Sequence, residues 1–252
     1  MLQNTPNLAP ALLEGVRLLS LDAGNVLIFL DHARLSALVE AAGYRAPARM
    51  LVRTEGQAKR LAANGDLHRF PFAAVNEPGA DGWGAMVGTT LLCCGVPRDA
   101  ISGLLDRLWS EHVAHNLWCA VPEGLPEALR DLRQNTSIKI CVSSNSEGML
   151  EPFLNSVGYG DCFDFVLDSG LEGVAKPDPV FFQRAPVRAE VRADEALHLG
   201  DMISTDIVGG RAAGFRVALI DPFSHWEGQY ADVPRAASAR AVAEALFAAA
   251  MR

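Results

Sequence analysis

Residues 20–27 read S-L-D-A-G-N-V-L, so that an acidic residue, Asp22, stands directly behind an apolar run. The preceding stretch, V-R-L-L-S-L at residues 16–21, has the composition of a short buried strand. Gly24 and Asn25 are residue types that favour a turn. The stretch therefore predicts a strand that ends at Asp22, with the carboxylate at the carboxyl end of that strand.

Further apolar runs end in the same way, with helical patterns between them. They stop at Ser144, Asp168, Asp201 and Asp221. Strands that alternate with helices predict an α/β fold with a doubly wound, Rossmann-like parallel sheet. In such a sheet the ligand binds beyond the carboxyl ends of the strands. We therefore expect a functional site at that edge.

Residues 31–117 show a different pattern, without a strand run of this type. They read as helices at 32–43, 48–63, 86–94 and 98–115, joined by turns that contain Gly or Pro. This predicts a helical domain of residues 31–117, inserted into a core domain of residues 1–30 and 118–252.

The bulk composition excludes several classes of partner. The chain has 252 residues and a formal charge of −8, and it shows no basic stripe, so we expect no nucleic-acid binding. No run approaches the roughly 20 apolar residues that span a bilayer, so we expect no membrane association. The N-terminus lacks the pattern of a secretory signal, and the five cysteines contain no C-x-x-C. We therefore predict a cytoplasmic protein with free thiols.

The stretch L-H-L-G-D-M-I-S-T-D, residues 197–206, supplies two more acids, Asp201 and Asp206. If the two carboxylates converge, they repel each other unless a hard divalent cation such as Mg²⁺ lies between them. The alternative is that Asp206 caps a helix and Asp201 merely ends a strand. His198, inside the apolar run, is typical of a core histidine.

Two other segments could supply positive charge and hydrogen-bond donors. Lys176, in G-V-A-K-P-D-P-V-F-F, is one of only three lysines and lies between two turn elements, so that a role in charge neutralisation is credible; the alternative is an ordinary lysine in a surface loop. Ser144 and Asn145, in C-V-S-S-N-S-E, could donate to an anion or simply cap a helix.

Taken in order, these segments resemble the haloacid dehalogenase-like hydrolase superfamily. The motifs K-P-D-P-x-F-F and G-D-x-x-x-x-D-I-x-G-G-x-x-A-G-F carry the resemblance most specifically. Residues 31–117 stand where that superfamily has its type 1 helical cap. The resemblance implies that Asp22 attacks the phosphorus of a small phosphorylated metabolite and forms an aspartyl-phosphate. It also implies that Ser144 and Asn145 bind the phosphoryl group and that Lys176 neutralises its charge.

The resemblance further implies a Mg²⁺ cofactor. The ion would be held by the carboxylates of Asp22 and Asp201 and by the main-chain carbonyl of Gly24. Asp206 would bind it through water or orient Lys176.

Gly24 departs from the usual pattern. Phosphatases of the superfamily commonly carry D-x-D-G-T, whereas this chain reads D-A-G-N-V at residues 22–26. The second Asp of that motif acts as acid and base, which is typically worth about 10²–10⁴-fold in rate. The D-x-G-N-V pattern resembles a branch that includes sugar-phosphate phosphatases without the second Asp.

Other interpretations remain open at this point. A 2-haloacid dehalogenase would need no acid for a halide, with Arg53 as a candidate carboxylate binder, but Asp201 argues against it. A phosphonoacetaldehyde-hydrolase-like enzyme would need a Schiff-base lysine, for which Lys59 is the candidate, although its helical surroundings predict a solvated side chain. A catalytically silent module that binds a ligand is the last alternative.

Overall fold

The structure is a computed structural model that describes residues 8–251. By their internal contacts these residues form two units. The core unit comprises the chain up to Phe29, Val121–Pro222 and the chain from Tyr230 onwards. The helical unit comprises Leu30–Ala120 and Phe223–Gln229.

The elements follow one another along the chain in an alternating pattern. The strands are β1 (Leu18–Leu21), β2 (Phe29–Leu30), β3 (Trp118–Ala120), β4 (Lys139–Ser144), β5 (Phe165–Asp168), β6 (Ala196–Gly200), β7 (Arg216–Ile220) and β8 (Arg235–Ala236). The α-helices are α1 (Pro10–Leu13), α2 (His32–Ala41), α3 (Ala48–Ala63), α4 (Ala80–Cys93), α5 (Arg98–Ala114), α6 (Leu125–Asn135), α7 (Leu150–Leu154), α8 (Ser169–Glu172), α9 (Pro179–Ala189), α10 (Val208–Ala212) and α11 (Ala239–Ala250). Wide π-helical turns at Asn155–Tyr159 and Ile203–Ile207 and a 3₁₀ turn at Ala193–Glu195 complete the pattern.

The core unit is built on a six-stranded sheet in the order β5-β4-β1-β6-β7-β8, with parallel pairing. Each of the strands predicted from an apolar run is present, and the α/β fold class is confirmed. The residues of β1 are fully buried, as expected for a central strand with helices on both faces. Strands β2 and β3 form a separate two-stranded sheet.

The register of the sheet determines which side chains meet. Leu21 lies opposite Val142 of β4 and opposite Leu199 of β6. The side chains that lie one residue beyond Leu21 and two residues beyond Val142 and Leu199 therefore emerge at the same edge of the sheet. These are Asp22, Ser144 and Asp201, which come from three different parts of the chain.

The helical unit has its own apolar core, formed by α2 to α5. Trp83 of α4 and Trp109 of α5 meet edge to face at 5.1 Å, a favourable aromatic arrangement. Helix α4 begins at Ala80, earlier than the predicted helix at 86–94, because the preceding turn ends at Gly79 with a φ of +77°. Among the described residues, no helix is both long and apolar enough to cross a bilayer.

Residues 223–229 follow the core strand β7, yet they belong to the helical unit. The predicted division placed them with the core and therefore differs from the structure here. His225 Nε2 donates to the carbonyl oxygen of Val52 in α3 at 2.8 Å. The His225 ring packs against residue 56, which is glycine. A Cβ atom on residue 56 would lie only 2.7 Å from Cδ2 of His225. The packing of one side chain against a glycine far away in the sequence cannot be predicted from local sequence periodicity.

Candidate active site

Asp22 directly follows β1 and is buried, with 7% of its surface exposed. Its N–H donates to the carbonyl of Leu199 at 2.9 Å, which extends the pairing with β6 by one residue. The chain then turns tightly, because the Ala23 carbonyl accepts from the N–H groups of Leu27 and Ile28. Gly24 lies in this turn, bridged to Ile28. Residues 20–27 thus form a hydrogen-bonded junction between strand and turn that presents the carboxylate of Asp22.

Lys176 lies between two of the predicted acids. Its Nζ is 2.7 Å from Asp22 Oδ1 and 2.6 Å from Asp206 Oδ1, and all three side chains are buried. Ser144 Oγ donates to the same Asp22 oxygen at 2.9 Å. The predicted residues are therefore joined by a continuous series of contacts, from Ser144 to Asp22, from Asp22 to Lys176 and from Lys176 to Asp206.

Asn145 has a role that differs from the expected contact with an anion. Its Oδ1 accepts from the Lys176 N–H at 2.8 Å, and its Nδ2 donates to the Lys176 carbonyl at 3.0 Å. These two bonds hold the backbone of Lys176. The side-chain amide of Asn145 is thus committed to Lys176.

Asp22, Asp201 and Asp206 together offer carboxylate oxygens that lie within 4.8 Å of one another. Asn25 Nδ2 donates to Asp201 Oδ2 at 3.2 Å. Both oxygens of Asp206 accept hydrogen bonds: Oδ1 from Lys176, and Oδ2 from the Met202 N–H at 2.9 Å. This commitment favours the predicted orienting role of Asp206 over direct metal binding.

The close packing of Asp206 against β6 depends on Gly200. A Cβ at residue 200 would lie only 2.2 Å from the Cβ and Cγ atoms of Asp206. Separations this short do not occur between real side chains, so any other residue would displace Asp206. The glycine of the G-D-x-x-x-x-D motif thus makes room for the last acid of the same motif.

The charges of the site are out of balance, with three buried carboxylates and one ammonium group. Burial raises the pKa of Asp22 to about 6, although Lys176 acts in the opposite direction. Burial would also raise the pKa of Asp206, but Lys176 and His198 hold it well below its usual value. Of these two acids, Asp22 is therefore the one whose charge is less compensated by the protein. A cation near Asp22 and Asp201 would relieve this imbalance.

Asp168 ends β5 and braces the loop that follows Ser144. Its carboxylate is buried and accepts from the N–H groups of Gly148, Leu150 and Gly170 at 2.9–3.1 Å. The predicted placement of Asp168 at the strand end is correct, and its bonds show that it fixes the loop backbone.

Lys59, which the helical pattern predicted to be solvated, is buried in the helical unit with 4% exposure. Its Nζ lies 3.5 Å from Glu55 Oε1, and His32 Nε2 lies 2.7 Å from the other Glu55 oxygen. Burial would raise the pKa of Glu55, but Lys59 and His32 outweigh it and lower the value to about 2. The solvated assignment of Lys59 is wrong, because Glu55 one turn earlier gives the buried ammonium a partner.

We expect Lys59→Ala to destabilise the protein by about 2–3 kcal/mol, slightly below the usual cost of breaking a buried ion pair because His32 still compensates Glu55. Urea unfolding of a double-mutant cycle with Glu55→Gln measures this. The loss should shrink in the Glu55→Gln background. An equal loss in both backgrounds would contradict the pairing.

Comparison with known proteins agrees with this arrangement. The sequence pattern of the haloacid dehalogenase-like hydrolases matches residues 21–214. The chain is 31% identical to haloacid dehalogenase-like hydrolase domain-containing protein 3 of Bos taurus over 212 residues, which are 81% of this chain and 82% of that protein. It is 33% identical to ribulose-1,5-bisphosphate 5-phosphatase of Halopiger xanaduensis over 127 residues, 50% of this chain and 51% of that one.

Among solved structures, the HAD-hydrolase YfnB from Bacillus subtilis, bound to magnesium, has the same fold. The TM-score is 0.64 at 19% identity, over 93% of this chain and 98% of that chain. The family match includes every acid, the lysine and the serine that meet at the sheet edge. The chain therefore belongs to the haloacid dehalogenase-like hydrolase family and is a hydrolase.

Proposed function

We propose that this hydrolase is a Mg²⁺-dependent phosphatase, which acts on a small phosphorylated metabolite through an aspartyl-phosphate on Asp22. The observation that carries the proposal is the buried Asp22 carboxylate, held at one oxygen by Ser144 and Lys176. A carboxylate with fixed orientation and a neighbouring ammonium group suits attack on an anionic phosphorus centre, where alignment and charge compensation supply most of the catalysis.

In the first step an Asp22 oxygen forms a bond to phosphorus while the bond to the leaving oxygen breaks, and that oxygen takes up a proton. In the second step water attacks the phosphorus of the acyl phosphate and gives up a proton. The products are inorganic phosphate and the restored Asp22 carboxylate. Lys176 compensates negative charge in both steps, and Ser144 limits rotation of the Asp22 carboxylate.

The donor set around Asp22 fits Mg²⁺, which prefers oxygen ligands and keeps several waters. The carboxylates of Asp22 and Asp201 and the carbonyl of Gly24 would hold the ion. Asp206 would act through Lys176, since its oxygens are already bonded. When bound, Mg²⁺ would offset the negative charge of the phosphoryl oxygens.

Gly24 restricts the substrates that fit this mechanism. Residue 24 has no side chain to protonate the leaving oxygen, so the substrate needs a leaving group that departs with little help, or a proton from another acid of the protein or of the substrate itself. An anomeric hydroxyl, an acyl group or a phenol meets this requirement. The Halopiger relative is a ribulose-1,5-bisphosphate 5-phosphatase, which supports a sugar phosphate as the substrate class. The 5-phosphate of that sugar is the ester of a primary alcohol, so a substrate of this kind would take its proton from a group other than residue 24.

The alternatives receive less support from the structure. The cluster of Asp22 and Asp201 favours a cation, which release of a halide does not need. Lys59 is ion-paired with Glu55, and a protonated amine cannot form a Schiff base. We therefore keep the phosphatase as the proposal, and the role of residues 31–117 as a substrate-covering cap stays a prediction.

The test is a screen of phosphorylated metabolites with added Mg²⁺ and with EDTA, which includes 2-haloacids and phosphonoacetaldehyde. We expect phosphate release with Mg²⁺ and a loss of at least about 100-fold with EDTA, since the ion supplies several kcal/mol of charge stabilisation. Asp22→Asn, prepared in parallel, excludes a contaminating phosphatase. Halide release in EDTA would contradict the proposal.

A further inference from the structure

Behind the active-site carboxylates, three neighbouring strands share a buried polar row. His198 lies in the middle of β6, and Ser20 of β1 is its partner in the strand register. Ser20 Oγ is 2.9 Å from His198 Nδ1 and 3.0 Å from the hydroxyl of Ser143 on β4. All three side chains are fully buried. Polar groups at the centre of a sheet are costly unless their bonds are satisfied, so this row calls for an explanation.

The row ends at the active site, since His198 Nε2 lies 3.2 Å from Asp206 Oδ1. The same oxygen accepts from the Lys176 ammonium, which can only donate. The other oxygen of Asp206 accepts from the Met202 N–H. Both oxygens are thus acceptors, so Asp206 is an ionised carboxylate and the His198 Nε2 atom carries the hydrogen of their bond.

The His198 ring has little freedom to turn away from Asp206. Ser20 contacts its Nδ1 atom, and the Phe182 ring packs edge-on against it with centroids 5.0 Å apart. The imidazole therefore donates to one chosen oxygen of Asp206, the oxygen that also binds Lys176.

Lys176 Nζ is shared between Asp22 at 2.7 Å and Asp206 at 2.6 Å. The two carboxylates compete for one ammonium group. A donor on Asp206 Oδ1 lowers the attraction of that oxygen for Lys176 and leaves more of the positive charge for Asp22. Without the donor, Lys176 should move towards Asp206.

We propose that His198 is a positioning residue, which holds Asp206 through the Nε2–H bond and so keeps Lys176 against Asp22. This inference rests on the proposed function for its effect on turnover. The effect of His198 on the position of Lys176 does not depend on which substrate the enzyme takes.

Two substitutions separate this role from simple core packing. In His198→Gln, the side-chain amide nitrogen extends to about the position of Nε2 and can still donate to Asp206. The side chain in His198→Asn is shorter, so its amide lies towards Ser20 and Asp206 loses the donor. Both replace the ring with an amide and perturb the core to a similar degree. We expect His198→Asn to lower kcat by about 10- to 100-fold with little change in KM, the scale of one charge-assisted hydrogen bond. His198→Gln should recover most of kcat.

A second readout follows Lys176 directly and needs no substrate. The chain has only three lysines, so the side-chain ¹⁵N signals can be assigned with Lys59→Arg and Lys139→Arg. We expect the Lys176 Nζ signal to shift in His198→Asn and to stay near its native position in His198→Gln.

Equal Lys176 signals in the two variants, or losses of kcat that merely follow the losses of thermal stability, would overturn the proposal. Wild-type protein that is inactive on every phosphate ester would instead refute the proposed function, and the Lys176 signals would still decide the role of His198.

Discussion

Asp22→Asn should reduce phosphate release on the order of 10⁴-fold or more, the scale on which removal of a covalent nucleophile acts. The amide has nearly the same shape as the carboxylate and can still accept from Ser144 and Lys176, but it is not a nucleophile. Steady-state kinetics with Mg²⁺ on the substrate identified in the screen measure the loss.

The stability of Asp22→Asn provides the control. The pKa of Asp22 is raised to about 6 in the folded protein, above the value of an exposed aspartate, so its ionisation opposes folding. That penalty is absent below about pH 4, grows as the pH rises towards 6, and is complete above it. In EDTA at pH 7.5 the variant should therefore be at least as stable as the wild type. Near-wild-type turnover by the variant would refute the covalent mechanism.

Lys176→Met should cause the largest loss of stability. The substitution leaves the buried carboxylates of Asp22 and Asp206 facing each other without the cation that now bonds to both. Breaking a buried pair in this way costs about 3–5 kcal/mol, and turnover should fall as well. Urea unfolding in EDTA measures the first effect.

Lys139→Met is the matched control for this substitution. Lys139 pairs with Asp164 at 3.5 Å, but its side chain is 53% exposed, so its loss should cost no more than about 1 kcal/mol. Addition of Mg²⁺ should recover part of the stability of Lys176→Met, because the ion would compensate the same carboxylates. Equal losses in the two lysine variants would contradict the assigned position of Lys176.

The ends of the strands were the most predictable part of the molecule. Each apolar run that stops at a polar residue became a strand, since parallel strands buried on both faces need continuous apolar sequence. The parallel register then brought Asp22, Ser144 and Asp201 to one edge. Their meeting could be expected from sequence because β-structure fixes the direction in which each strand delivers its last residue.

Contacts that depend on specific partners could not be predicted in this way. Lys59 lies on a helix whose pattern favours a solvated lysine, but its ammonium is buried beside Glu55, which also pairs with His32. Asn145 had the composition of an anion-binding loop, but its amide binds the backbone of Lys176, 31 residues away. Such pairings join distant parts of the chain, and local periodicity contains no information about them.

For His198, the sequence predicted the burial of the side chain but not its link to the active site. The apolar run around it predicted a core histidine with satisfied bonds, which agrees with its complete burial. What the sequence did not show is that one of those bonds ends on the Asp206 oxygen that holds Lys176. A core position and a link to the site are compatible, because β6 passes directly beside β1.

The proposed mechanism requires Asp22 to become phosphorylated during turnover. The most direct measurement mixes the enzyme and Mg²⁺ with a ³²P-labelled substrate, quenches the reaction in acid within milliseconds to seconds, and maps the label by peptide digestion. We expect a hydroxylamine-sensitive label on the peptide that contains Asp22, and no label in Asp22→Asn. Turnover at full rate without any label on that peptide, or a label on another residue, would contradict the account.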